Sequence, residues 1–179
     1  MTGKVLVTYG TTNGSTAEIA EAVAGVLTKD GIPAETAPAG TVKDITAYDA
    51  VLVGGGLYGG RWHRDARRFV RRNRRALAER PVWFFSSGPL DPSASEKDIP
   101  PVPAVRRAMD NVDARGHVTF GGRLEEGAKG RIAKMIVRNG KGGDFRDFTE
   151  IEAWAEQVAG QLEGGGGAGE GGAGEGKTL

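Results

Sequence analysis

The stretch Val5-Leu6-Val7-Thr8-Tyr9-Gly10-Thr11-Thr12-Asn13-Gly14-Ser15-Thr16-Ala17-Glu18-Ile19-Ala20 decides how the chain is read. Val5-Leu6-Val7 is a short apolar run ending in Thr8-Tyr9-Gly10, the pattern of a buried strand meeting a loop. From Ser15 to about Lys29, the residues Ile19, Ala20, Val23, Val26 and Leu27 recur at helical spacing. Gly31 stands just past that helix, where glycine often closes a C-terminus. Between strand and helix, Thr11, Thr12, Ser15 and Thr16 bring hydroxyls to the helix start, together with Asn13 and Gly14. Backbone N–H groups and the helix dipole attract an anion there, and hydroxyls add donors. The loop has no lysine, so it suits a phosphate monoester better than a nucleoside triphosphate with magnesium. Plain capping is the alternative, with Ser15 or Asn13 as N-cap and Glu18 as capping-box partner; capping needs only one such residue.

The same alternation continues outward. Ala34–Pro38 reads as a weak strand, and Ala50-Val51-Leu52-Val53 as a second buried one running into a glycine-rich loop at 54–60. An arginine-rich helix follows over about 65–79, with Ala66, Phe69, Val70, Asn73 and Leu77 inward. Val82-Trp83-Phe84-Phe85 is the next strand, and a short helix is expected near 104–111. Val118-Thr119-Phe120 is the last strand, ahead of a basic helical piece near 128–137. A final helix near 150–162 turns Ile151, Trp154, Ala155, Val158 and Leu162 inward. Strands alternating with helices mean an α/β fold with a doubly wound parallel sheet, five strands in the order 2-1-3-4-5. Ligands in such sheets bind beyond the C-terminal strand ends. The polar, glycine-rich segments 8–16, 54–63, 86–92 and 121–127 fall there.

Two of those segments suit a flat ligand. Gly54-Gly55-Gly56-Leu57-Tyr58-Gly59-Gly60 permits close backbone approach and offers Tyr58 as a stacking ring, or is simply a flexible loop with one exposed tyrosine. Ser86-Ser87-Gly88-Pro89-Leu90 offers hydroxyl and backbone hydrogen bonds to a ring edge.

Composition bounds the rest. The chain has 179 residues, 39% of them hydrophobic, enough for one domain with a buried core. The absence of cysteine excludes disulfide scaffolds, Cys-ligated zinc, iron–sulfur clusters and thiol catalysis. His63 and His117 are the only histidines, too few for a histidine-rich metal site. No apolar run is long enough to span a membrane, and the N-terminus lacks a basic region with a cleavage site, so a cytoplasmic place is expected. Residues 164–179 are so glycine-rich that a disordered tail is expected, leaving 1–163 as the domain. Gly171 to Thr178 matches the phosphate-loop pattern literally, but no strand precedes it and only Leu179 follows.

Charge is unevenly spread. The whole chain is net +1, yet 61–80 holds nine Arg against Asp65 and Glu79. That stretch reads as a solvated face, or as a site for an acidic partner, a membrane surface or an anionic substrate. No motif that enters a nucleic-acid groove is present, so nucleic acid is not an expected partner. Lys129, Arg131, Lys134, Arg138 and Lys141 make 129–141 strongly basic, with Ile132, Met135, Ile136 and Val137 apolar. This fits a short helix lying on an anionic membrane surface, or one packed against the sheet edge with its lysines solvated.

The run YGTTNGSTAEIA resembles the phosphate loop of flavodoxins, and VLVGGGLYGGRWH resembles their second flavin-contacting loop. More narrowly, the chain is similar to the branch that includes menaquinone-dependent protoporphyrinogen oxidase. The features shared are Gly55-Gly56-Leu57-Tyr58-Gly59-Gly60-Arg61-Trp62-His63, Gly121-Gly122-Arg123-Leu124 with its basic helix, and Gly142-Gly143-Asp144 before a Trp-containing final helix. The resemblance implies a flavodoxin-like fold and noncovalent FMN. It implies that Thr11, Thr12, Asn13, Gly14, Ser15 and Thr16 hold the phosphate. It places Gly56, Leu57, Tyr58 and Gly59 beside the isoalloxazine, with the Gly59 peptide near N5, and makes Ser86, Ser87 and Gly88 the third contact. Flavodoxins usually carry a second aromatic in that third loop, and 86–99 has none. The outer flavin face is then open to a substrate, or covered by Leu57, Trp62 or Leu90. The function implied is an FMN-dependent oxidoreductase passing electrons to a quinone at the inner membrane face. The alternatives are an electron-transfer flavodoxin with a dedicated redox partner protein, and a flavin-free binding module. No catalytic side chain stands out.

Overall fold

The computed structural model describes residues 3–124, 131–140 and 142–164. The expected glycine-rich tail beyond 164, and residues 125–130 and 141 of the basic insert, lie outside the described residues. The elements in chain order are β1 (Val5–Gly10), α1 (Ser15–Lys29), β2 (Ala34–Pro38), a 3-10 turn (Ala39–Thr41), β3 (Ala50–Tyr58), β4 (Arg61–Trp62), α2 (Arg64–Arg72) and α3 (Arg74–Ala78). They continue as β5 (Val82–Ser87), α4 (Ser93–Glu96), α5 (Pro103–Val112), β6 (Gly116–Phe120), β7 (Arg123–Leu124), α6 (Arg131–Arg138), β8 (Gly143–Asp144) and α7 (Phe148–Gly164).

The main sheet runs β2-β1-β3-β5-β6, with every neighbouring pair parallel. This is the order expected from the sequence. Helices cover both faces, so the strands alternate between two cores. Trp83 and Phe85 of β5 pack with Ile19, Val23 and Leu27 of α1 and Ile151, Ala155 and Val158 of α7. Val82 and Phe84 point the other way, against Phe69 and Val70 of α2, Leu77 of α3 and Val105 of α5. The side-chain period of two in a strand requires this division. Helix α1 closes as expected, with Gly31 at φ +85° and Ile32 N–H donating to the Leu27 carbonyl.

Three differences from the sequence reading have physical causes. First, Gly54, Gly55 and Gly56 belong to β3 rather than to a loop. A Cβ on Gly54 would lie 2.1 Å from the Phe85 ring, and one on Gly55 2.2 Å from the Trp62 indole. The strand is glycine here because large rings lie across it. Second, the arginine-rich helix is broken at Asn73, whose side-chain amide donates to the Phe69 carbonyl at 3.0 Å. Third, the insert after β6 contains a small antiparallel ribbon, β7 with β8, beside α6. Ile136 and Val137 of α6 pack on Leu124, as does Leu90, while Met135 is 57% exposed.

Under the 98–103 connection lies a polar group on the α5 face. His117 Nε2 and Ser86 Oγ are 2.9 Å apart, and Thr119 Oγ1 donates to the Ile99 carbonyl at 3.1 Å. Burial pushes the His117 imidazole down from 6.5 to about 4, against the opposing pull of Asp98. The folded state therefore disfavours its protonation. The neutral ring contributes stability fully above 6.5, and that contribution is lost as pH falls towards about 4. In urea denaturation across this window, wild type is expected to lose more stability than His117→Gln. Parallel curves for the two proteins would remove His117 as the source.

Candidate functional site

The turn into α1 sets the site. Gly14, at φ +85°, occupies the N-cap. A positive φ is easily reached only by glycine. Plain capping, the alternative reading of this loop, puts Ser15 or Asn13 at the N-cap; the N-cap is Gly14, and Glu18 pairs with arginines. Ser15 is the first helical residue, 5% exposed, and stands on the wall of a cavity of about 350 Å³ at the C-terminal edge of the sheet. The first-turn N–H groups of a helix lack intrahelical acceptors.

The neighbouring hydroxyls hold the loop in shape. Thr11 Oγ1 accepts from Gly14 N–H at 3.0 Å. Thr16 Oγ1 and Ser87 Oγ meet at 3.0 Å in a buried contact that ties the first loop to the third. Thr12 N–H donates to the Tyr58 hydroxyl at 3.1 Å, joining the first loop to the second. Its Oγ1 lies 3.2 Å from His63 Nε2. Because His63 Nδ1 accepts from Asp65 N–H, the proton of the neutral ring sits on Nε2, which donates to Thr12. Burial holds the His63 imidazole below its usual range and so favours that neutral form. His63 is thus the cap of α2 and a tether for the loop.

Glu18 is held by two arginines, at 3.1 Å from Arg123 and 2.7 Å from Arg146. The Arg146 hydrogen bond is the main reason that the Glu18 carboxyl sits below the usual range. Arg146 is itself almost fully buried, pairs with Asp144 at 2.9 Å and reaches the Ser15 carbonyl at 3.4 Å. Arg123 reaches the Asn13 carbonyl and lines the cavity. Sequence reasoning missed both arginines as partners of this loop. Each is more than a hundred positions from Glu18, and no local pattern marks so distant a pair.

The rest of the cavity is a flat slot. Leu57, Tyr58, Gly59 and Gly60 form one side, where Gly59 and Gly60, at φ +58° and +74°, make the two-residue turn of the β3–β4 hairpin. Ser87, Gly88, Pro89 and Leu90 form the other side, and Leu124 and Ile136 close the end. The backbones must run close here: a Cβ on Gly88 would lie 2.6 Å from Leu57 Cβ. Tyr58 lies across Gly56, whose Cβ would meet its ring at 2.9 Å. Ser15, Gly56, Leu57, Tyr58, Gly59, Ser87 and Gly88 thus share one cavity, and Thr11, Thr12, Asn13, Gly14 and Thr16 form the loop behind it. Ser86 does not line it; its side chain points to the opposite face, at His117. Trp62 does not cover the slot either. It is 1% exposed and stacked on Phe84 at 5.2 Å inside the core. Of the three candidate covers, Leu57 and Leu90 are in the cavity wall.

The flavodoxin domain family model matches residues 6–141. The chain belongs to the flavodoxin domain family. FMN is the cofactor of that family, and its parts fit the site: an anion-binding helix start at one end and an apolar slot between close backbones at the other. Solved structures share the fold. A mutant flavodoxin from Pseudomonas aeruginosa has a TM-score of 0.61 at 19% identity, over 89% of this chain and 99% of that one. Oxidised flavodoxin 2 from Bacillus cereus gives 0.62 at 17%, over 89% and 99%. The rubredoxin:oxygen oxidoreductase of the anaerobe Desulfovibrio gigas gives 0.63 at 11%, over 92% of this chain but 37% of that one. Among curated proteins none matches the chain.

The clamp on Glu18 makes a graded prediction. Arg146→Gln strips a buried cation from two carboxylates and a carbonyl, and is expected to cost about 1–3 kcal/mol. Arg123→Gln removes a more exposed pair and is expected to cost less than about 1 kcal/mol. Chemical denaturation of the two variants checks the order.

Proposed function

We propose that this flavodoxin-family chain binds FMN noncovalently in the cavity described and transfers electrons through it. The observation that carries the reading is that one cavity joins Ser15, in the first turn of α1, to the segment around Tyr58. When bound, FMN supplies one- and two-electron redox chemistry. The first-turn amides of α1 and the Ser15 hydroxyl hold the phosphate, on a loop that Thr11, Thr12, Asn13, Gly14 and Thr16 shape. Arg123 adds positive charge on the same side. The Tyr58 hydroxyl now uses the Thr12 amide, so tyrosine and phosphate compete for that donor. Gly56, Leu57, Gly59, Ser87 and Gly88 flank the ring, Tyr58 stacks on it, and Leu57 with Leu90 keeps water out. Ser86 acts from behind, as the partner of His117.

The finer reading is an oxidoreductase like the quinone-reducing protoporphyrinogen oxidases. Its support is the apolar part of the lining: Pro89, Leu90, Leu124 and Ile136 stand in the cavity wall, and 86–99 carries no second aromatic to cover it. That leaves an apolar surface for a flat organic donor or a quinone. Helix α6 bears on the membrane reading. Ile136 and Val137 pack on Leu124, and Lys134 and Arg138 are exposed, which supports a helix packed on the domain. No helix among the described residues is long and apolar enough to cross a membrane.

Titration of FMN into apoprotein tests the core of the reading, with a flavin spectrum and saturable binding expected. Thr12→Ala with Ser15→Ala is expected to weaken FMN, by roughly 1.5–3 kcal/mol for the Ser15 hydrogen bond to a charged group, with a further loss from releasing the loop that His63 tethers at Thr12. Tyr58→Ala is expected to speed FMN release and shift the flavin potential, with stacking worth about 0.5–1.5 kcal/mol beyond area. Unchanged affinity in the double variant would move the phosphate site elsewhere. Porphyrinogen oxidation with a quinone acceptor separates the finer reading from a carrier that serves a partner protein.

A further inference from the structure

We infer that the exposed face of α2 is a docking surface for an acidic electron-transfer protein, which it seats at the rim of the flavin cavity; this rests on the FMN reading above. Arg64, Arg67, Arg68 and Arg71 are all exposed and fall at i, i+3, i+4 and i+7 of α2. That spacing puts them on one face. The opposite face, Ala66, Phe69 and Val70, is buried in the core. Among the described residues, none of these arginines forms an ion pair within the chain. The acids on the same stretch are Asp65, whose carboxylate faces Gly40, and Glu79 beyond α3.

Folding does not account for the stripe. Like charges three and four apart on a helix repel, and a cation at the first helical position, here Arg64, opposes the helix dipole. A face that served only solubility could alternate its signs. The residue type also matters. Guanidinium is weakly hydrated and grips a carboxylate with two parallel hydrogen bonds, as suits carboxylate-rich protein surfaces.

Placement ties the stripe to the redox site. Hairpin pairing sets Arg61 beside Tyr58, and Tyr58, Gly59 and Gly60 form the cavity wall. The positive surface therefore starts at the cavity rim and runs away along α2. A partner held there meets the flavin across the Tyr58 hairpin. One electron leaves the partner's reduced metal centre and is accepted by FMN, or passes in the reverse direction. Lipid is the less suited occupant. The exposed large apolar residues among those described are Met135 and Phe148, and neither is on α2.

The test uses the full chain with a plant-type ferredoxin as acidic probe and cytochrome c as basic control. Fluorescence anisotropy of labelled ferredoxin, with and without FMN, reads docking; stopped-flow reads electron transfer. Wild type is expected to bind ferredoxin at low salt, losing at least about tenfold in affinity by ~0.15 M. Arg64→Glu/Arg68→Glu/Arg71→Glu is expected to lose at least about tenfold at low salt while taking up FMN as before. If that variant does not fold, Arg→Gln at the same positions gives a smaller loss in the same direction. Salt-insensitive binding, equal affinity in a folded variant, or preference for cytochrome c overturns the inference. So does tight binding to phosphatidylserine vesicles or duplex DNA with none to ferredoxin. Failure to take up FMN would instead overturn the proposed function, and docking measured without flavin would still stand or fall by itself.

Discussion

The turn of the chain at Gly14 into α1 is the constraint on which the other parts of the site depend. Gly14, at φ +85°, starts the helix at the cavity wall, where Ser15 stands. The first amides of a helix lack intrahelical acceptors, so the loop before it must be held from outside. Here the surroundings supply that: Thr11 on Gly14, Thr16 on Ser87, and Tyr58 and His63 on Thr12. The residue that a capping box would have used, Glu18, is drawn away by Arg123 and Arg146. Glu18 is thus committed to the two arginines.

The second constraint is closeness. Three glycines in β3 let Phe85, Trp62 and Tyr58 lie directly across the strand. The β3 end also runs close to the β5 loop, where a Cβ on Gly88 would lie 2.6 Å from Leu57 Cβ. The aromatic side chains divide accordingly. Trp62 and Phe84 stack within one core, Phe85 and Phe120 meet Trp154 edge-on in the other, and Tyr58 alone of these faces the cavity. The site is thus built by the same packing that builds the sheet.

Charge is organised at a larger scale. The buried arginine, Arg146, is fully paired and serves the loop. Arg64, Arg67, Arg68 and Arg71 of α2 form no ion pair among the described residues. The two populations share a residue type and differ in role, and burial is what separates them.

The alternation of apolar strands and periodic helices was enough to establish the doubly wound sheet, its order, and the C-terminal edge as the place of the cavity. These follow from local periodicity and chain connectivity, which a sequence displays directly. The bounds of α1 and β2 and both faces of β5 were legible for the same reason. The phosphate loop was legible as a composition, yet the task of each hydroxyl was not: Ser15 faces the cavity while Thr11 and Thr16 hold the loop, and Ser86 turns away from Ser87 because successive strand residues point to opposite faces. Tertiary structure alone decided the three-glycine continuation of β3, the burial of Trp62, the packing of Ile136 on Leu124, and the clamp of Arg123 and Arg146 on Glu18. Each of these depends on which distant side chain occupies the neighbouring space, and periodicity along the chain carries no record of that.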